Sequence, residues 1–205
     1  MFQRLYFDED WTVGTRRGYK SFSLSPLTLA LLEDSSWYKA DFSKATSSSF
    51  GHGAGCGFVE GKCLVEGEVP TYSKGFFCNS ESEGESIGCD YTHAMKAFCN
   101  KKESEEIFTI NKSDECPMMT RDIIACDDEA NKSGYNFEAF GKNSKCFDTK
   151  TSQSLCLETS CNRKEQKVEF MILDQIYQCD YDGQEIEIEN DIIIECPRIA
   201  AICPE

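Results

Sequence analysis

Hydrophobic and polar positions change rhythm three times along this chain of 205 residues. Residues 1–24 hold no steady period. Phe2, Tyr6, Phe7 and Trp11 are followed by Asp8, Glu9 and Asp10 among them, then by Arg16, Arg17 and Lys20, while Gly14 and Gly18 interrupt any long helix. This reads as loop with turns, and the change of charge sign as a solvated surface. At Ser25-Pro26 the pattern tightens. Serine caps a helix, its pre-proline backbone favours the extended geometry of a cap, and proline fits the first helical position. The run Leu27 to Asp34 that follows is apolar on nearly every side for two turns, which predicts a buried helix over Ser25–Asp34. Ser35-Ser36 should end it, with Trp37 and Tyr38 packing beyond.

A serine-rich stretch, Ser43 to Ser49, and the glycine cluster GHGAGCG mark a boundary. Past it, loops rich in Gly, Ser, Asn and Lys dominate, and two segments read as strands. Lys167–Leu173 sets Val168, Phe170 and Ile172 against polar neighbours, and Glu185–Glu189 alternates acids with Ile186 and Ile188. Tyr181-Asp182-Gly183 offers turn chemistry between them, predicting a terminal hairpin, to which Ile192–Ile194 adds a third strand. No period of 20 to 50 residues marks a solenoid. The fold class expected is α+β, with one buried helix, short antiparallel strands and long crosslinked loops.

Cysteine usage changes the picture most. All 13 cysteines fall at or after Cys56, the density of a disulfide scaffold. No CxxC pair occurs, whereas zinc ribbons and fingers need close thiolate pairs to reach one tetrahedral ion. Disulfides are therefore favoured over an intracellular zinc cluster. The odd count leaves one thiol over, which points to an external partner or a missing piece of chain. A formal charge of −15 excludes a nucleic-acid binder, which needs a basic face. No apolar run approaches the ~20 residues of a membrane helix. The N-terminal MFQRLYFDED lacks the pattern of a signal peptide, so cysteines suited to an oxidising compartment sit on a chain without an address. The simplest resolution is the later part of a longer secreted chain.

Candidate chemistry is sparse. The two histidines, His52 in the glycine loop and His93 in DYTHAMKAF, with a short helix as one setting for the latter, have no companion at i+4 with which to grip one ion. There is no GxSxG elbow and no cysteine set beside a histidine as a nucleophile. The acids from Asp180 to Asp191 suit the exposed face of an edge strand better than a calcium loop. Asn111 and Asn131 each open an N-x-S sequon, a glycosylation candidate in a secreted chain.

SPLTLALLEDSSWYKADFSKA followed by FGHGAGCGFVEGKC resembles the leishmanolysin family of zinc endopeptidases. The likeness continues through FFCN, the Cys-Pro at Cys116, SKCFD, SLCLETSC and ECPRIAAIC. It implies a secreted or surface-attached metalloprotease of the metzincin type, acting on proteins or peptides, with zinc held by two histidines of an HExxH helix and a third further along. HExxH is absent from all 205 residues. By the resemblance, residues 1–47 form the end of the catalytic region, including the helix that follows the methionine turn, and residues 48–205 a cysteine-rich C-terminal domain. Met1 then stands where the family has its third zinc histidine and Thr12 where it has the turn methionine. Thioether is a poor zinc ligand, so no zinc is expected on this chain and a pseudo-protease is implied. The resemblance also implies the pairs Cys63–Cys116, Cys78–Cys99, Cys89–Cys146, Cys126–Cys156, Cys161–Cys203 and Cys179–Cys196, with Cys56 orphaned from an upstream partner. The alternative, from another class, is a secreted or surface cysteine-rich module whose scaffold itself binds a partner or serves adhesion. The helix discriminates: a self-sufficient module has no use for an exposed apolar helix.

Overall fold

The computed structural model describes residues 24–45, 50–51, 53–79, 87–99, 116–117, 119–132, 137–150 and 153–203. Met1, Thr12, the basic trio Arg16, Arg17 and Lys20, His52 and Asn111 lie outside them.

The first helix, α1 (Pro26–Asp34), forms where its cap dictates. Ser25 is extended, its hydroxyl accepts the Thr28 N–H at 3.1 Å, and Pro26 opens the first turn. The helix ends as Ser35 N–H reaches Leu31 O and Ser36 turns left-handed at φ 61°. The expectation of burial on all sides needs correction. Thr28 and Leu29 are buried, but Leu27, Leu31 and Leu32 are 49%, 65% and 39% exposed. Trp37 and Tyr38, expected to pack beyond the helix, are exposed as well. Burial of an apolar helix requires neighbours on every side, and here only one face meets them.

Nine strands follow the short helix α2 (Cys56–Glu60), among the described residues. Strands β1 (Ile87–Cys89), β2 (Met95–Cys99) and β3 (Met119–Ala125) make a three-stranded antiparallel sheet in that order. The other sheet contains β4 (Ser144–Thr149), β5 (Leu155–Asn162), β6 (Lys167–Ile172), β7 (Gln175–Cys179), β8 (Glu185–Ile188) and β9 (Ile192–Glu195). Its order is β7-β6-β5-β4-β9-β8, antiparallel throughout, and the helix α3 (Ile199–Ile202) closes the described chain.

Two sequence expectations change here. The terminal hairpin does not join β6 to β8. Instead β6 turns directly into β7 through Leu173 and Asp174, and β8 pairs with β9 through Glu189–Asp191. Both central residues of the first turn have positive φ, 50° and 61°, the conformation of a type I′ hairpin. Leucine and aspartate stand where asparagine and glycine usually mark that turn, so the sequence signal was missing. Loops also dominate less than the cysteine-paced region implied. In β4 and β5 the buried Cys146, Phe147, Cys156 and Leu157 hold the strands inside, with cysteines acting as apolar core residues.

Among the described residues, three clusters make up the interior. Val168, Phe170 and Ile172 of β6 face Phe147, Leu157, Ile188, Ile194 and Ile202, with the Phe147 and Phe170 rings 4.9 Å apart. A second cluster sets Phe50 edge-on to Phe58, Phe76, Phe77 and Tyr91 at centroid distances of 5.5, 5.4, 6.1 and 5.1 Å. Gly51 serves this cluster: at φ +73°, a Cβ there would stand 2.8 Å from the Phe58 ring, so a side chain is excluded by space and by backbone. The third cluster consists of the half-cystines Cys89, Cys126, Cys146 and Cys156, with Phe140 against them. Arg198 ties the end of the chain to the aromatic cluster by stacking 4.4 Å above the Phe76 ring centroid.

Candidate functional site

Crosslinks tie together the described segments between residues 63 and 203. Disulfides join Cys63 to Cys116, Cys78 to Cys99, Cys89 to Cys146, Cys126 to Cys156, Cys161 to Cys203 and Cys179 to Cys196. They span from 17 to 57 residues of sequence. In the chain-entropy account, loops of this size stabilise by about 3–4 kcal/mol each. Cys56, at the start of α2, is exposed and unpaired.

Polar side chains converge where the two sheets meet, around the Cys89–Cys146 bridge. The loop from β1 to β2 is a turn built on Asp90, which is fully buried. Its Oδ1 accepts the Met95 N–H at 2.9 Å and its Oδ2 accepts both the Thr92 N–H and the Thr92 hydroxyl. His93 sits in that turn at φ 54°, not on a helix, and is 5% exposed. Its Nδ1–H donates to the Cys146 carbonyl at 2.8 Å, and its own carbonyl accepts the Cys146 N–H. A carbonyl can only accept, so the partner fixes the tautomer.

Asp148 faces the same bridge from β4, its Oδ1 accepting the Cys89 N–H at 2.9 Å. Burial raises its pKa above the usual carboxylate value. His93 and the Cys89 N–H pull the other way without cancelling that effect, and the acids Glu195 and Asp90 add to it. Beside this group lies an ion pair between Lys96 and Glu138, whose side chains are 8% and 5% exposed. Glu138 Oε1 also accepts the Cys156 N–H at 3.0 Å, and the Phe140 ring lies 6.0 Å from the ammonium.

This constellation is structural in its chemistry. Every carboxylate in it is engaged by a main-chain donor or an ammonium, and the one hydroxyl against them, that of Thr92, closes the Asp90 turn together with its own N–H. Among the described residues, no three His, Cys, Asp or Glu side chains gather closely enough to hold a metal ion. Twelve cysteines are oxidised and the described histidine spends Nδ1 on a carbonyl, so the described donor set does not fit zinc. Asn131, the described sequon, is half-buried in a short 3-10 turn, with Nδ2 donating to Ala125 O at 3.0 Å.

The acids from Asp180 to Asp191 are not convergent. Asp180 pairs with Lys167 at 3.0 Å, which holds its pKa low. Asp182 accepts the Ile199 N–H at 2.8 Å, and Glu185 pairs with Lys150. Glu185 and Glu187 lie on the exposed side of β8, an edge strand as its alternation predicted. Sequence reasoning did not single out Asp90, Lys96, Glu138 or Asp148. Their one available signal was charge inside short apolar stretches, as in MKAF and CFDT.

Comparison with known proteins places the chain in a wider setting. The profile of the leishmanolysin family (peptidase M8) matches residues 3–205. A leishmanolysin-like peptidase of Drosophila pseudoobscura pseudoobscura is 25% identical over 243 residues, covering 87% of this chain and 35% of that protein. The ciliated left-right organizer metallopeptidase of Mus musculus is 29% identical over 189 residues, covering 89% of this chain and 25% of its own length. Leishmanolysin of Leishmania donovani is 44% identical over 55 residues, 27% of this chain and 9% of that protein. The chain thus spans about a third or less of the curated relatives it matches.

Proposed function

The chain belongs to the leishmanolysin family, and on that premise we propose that it is the cysteine-rich tail of a leishmanolysin-like metalloendopeptidase, a scaffold for the catalytic region that cannot itself cut peptides. The observation that carries this reading is the family match over residues 3–205 in a chain without HExxH. Peptide hydrolysis by a zinc-activated water needs three protein ligands, an open position and a base. This sequence holds two histidines, and His93 is locked in a turn by Cys146.

Residues 1–47 are assigned to the end of the catalytic region and 48–205 to the cysteine-rich domain. Two features support the division. All six disulfides and all three interior clusters lie beyond residue 48. Helix α1, in contrast, leaves Leu27 and Leu31, one turn apart on the same side, exposed, a face on which a catalytic region would pack. The exposed Cys56 is the matching covalent anchor, free here because its partner belongs to that region. With Met1 in the position of the third zinc histidine, a longer parent would be a pseudo-protease.

The disulfides and the family together support a secreted or cell-surface location, with proteins or peptides as substrates or partners. No helix among the described residues is long and apolar enough to cross a membrane. The alternative of a self-sufficient adhesion module fits less well, because a free-standing module gains nothing from α1's exposed leucines.

The test is zinc content and peptidase activity of the 205-residue chain, produced in an oxidising secretory host with its disulfides verified. The expected result is no stoichiometric zinc and no chelator-sensitive cleavage of a denatured protein substrate. One tightly held zinc per chain with chelator-sensitive cleavage would overturn the proposal.

A further inference from the structure

The two edges of the six-stranded sheet are treated differently by the sequence. At one edge, β8 reads Glu-Ile-Glu-Ile and presents a carboxylate at each exposed position. Charge on an edge discourages strand addition. At the other edge, β7 reads Gln-Ile-Tyr-Gln-Cys. It has no charge and no proline, and its register with β6 runs unbroken from Ile172↔Gln175 to Val168↔Cys179, so there is no bulge. Among the described residues, this five-residue strand thus carries no charge, proline or bulge to discourage strand addition.

Register also fixes what this edge offers. A two-residue turn makes Ile172 and Gln175 the first hydrogen-bonded pair, and antiparallel bonding then alternates. The main-chain N–H and C=O groups of Ile176 and Gln178 therefore point away from β6, into the open edge. Ile176 is 73% exposed and stands opposite Met171, with Leu173 also exposed at the turn. An apolar side chain and two unused donor–acceptor sets lie on one short strand.

Charge names the occupant. Glu158 stands opposite Met171 on β5, Glu169 opposite Gln178, and Asp174 and Asp180 flank the strand. Lys167 is engaged by Asp180 and Glu165 at 3.0 and 3.4 Å. Arg163 and Lys164 sit in the β5–β6 turn, at the end away from Leu173. The Ile176 end of the edge is thus apolar within an acidic surround. A second copy of this chain suits it poorly. Antiparallel pairing of two β7 strands would bring Asp174 of one beside Asp180 of the other, on chains of charge −15.

We propose that β7 is a docking edge for an extended basic segment of a partner protein, added as a further antiparallel strand with an apolar side chain beside Ile176 and Lys or Arg directed toward Glu169 and Asp174. Main-chain bonds supply affinity and the flanking acids supply selectivity. The inference stands on the sheet edge alone and does not depend on the catalytic reading above.

Amide hydrogen exchange on the full 205-residue chain tests it, with two capped probe peptides, Lys-Val-Lys-Val-Lys and Glu-Val-Glu-Val-Glu. The basic probe should slow exchange at Ile176 and Gln178 while leaving Tyr177, already bonded to β6, unchanged, and added salt should weaken the effect. Ile176→Lys should abolish it with all six disulfides intact, and Glu169→Lys, on the strand next to β7, should remove the preference for the basic probe. Protection by neither peptide, or by both equally, would overturn the proposal. So would concentration-dependent protection without any peptide, which would make the occupant a second copy.

Discussion

The Lys96–Glu138 pair is the most exacting place to test the interior. Both side chains are nearly buried, and Glu138 also satisfies the Cys156 N–H. Lys96→Met removes one charge and leaves an ionised carboxylate enclosed beside two disulfides. Breaking a buried pair on one side costs about 3–5 kcal/mol. Glu138→Gln keeps an acceptor for Cys156 but strands the ammonium. The Phe140 ring, 6.0 Å from the ammonium, returns no more than about 2 kcal/mol, so a net loss is again expected. The double variant Lys96→Met/Glu138→Gln removes both charges and keeps the acceptor, so its loss should be about 0–1 kcal/mol. The coupling across the cycle is then on the order of 3 kcal/mol or more, well beyond the ~0.5 kcal/mol seen between independent sites. Urea unfolding without reductant is the assay. At a slope of about 2 kcal/mol/M, each single variant should lower the midpoint by roughly 2 M. The exposed pair Lys150–Glu185, 47% and 51% exposed, is the control and should couple by at most about 1 kcal/mol. Single variants that each cost less than ~1 kcal/mol, or a cycle with no coupling, would refute the picture of a desolvated pair.

Asp148 gives a pH signature. Its pKa is raised by burial in the fold, so its contribution to stability is fully present below the ordinary carboxylate value and is lost as pH rises through the folded value. Asp148→Asn keeps an oxygen for the Cys89 N–H, and should raise the unfolding midpoint at pH 7 with the advantage shrinking toward pH 3; an advantage that grows on acidification would contradict the assignment. Arg198→Ala removes the stack on Phe76 and should cost about 1 kcal/mol or more, whereas Arg198→Lys should recover only part of it in the same urea assay. Phe147→Ala opens a cavity beside Phe170 and should cost about 3–5 kcal/mol; a loss under ~1 kcal/mol would show that this ring is not packed as described.

Local chemistry made some of this fold legible and hid the rest. Helix α1 could be read because Ser25 and Pro26 specify its start without outside help. Strands β6 and β8 could be read because their side chains alternate cleanly between interior and solvent. Strand β7 escaped because its turn uses Leu173 and Asp174 in a conformation that Asn and Gly normally announce. Strands β4 and β5 escaped because their inward positions are partly cysteines, which spacing presents as crosslinks and the structure uses as core. The burial of α1 was overestimated because apolar composition says what a helix should bury, not what is there to cover it. The polar cluster was illegible for a plainer reason. Lys96 and Glu138 lie 42 residues apart, and Asp148 meets Cys89 across 59, separations that no local pattern encodes.

Non-reducing peptide mapping of the native protein by mass spectrometry tests the central claim most directly, through the partner of Cys56. As the tail of a leishmanolysin-like protein, the chain should yield Cys56 bonded to a cysteine in a peptide that does not occur among these 205 residues. Cys56 recovered from native material as a free thiol, or bonded to a second Cys56, would contradict the account.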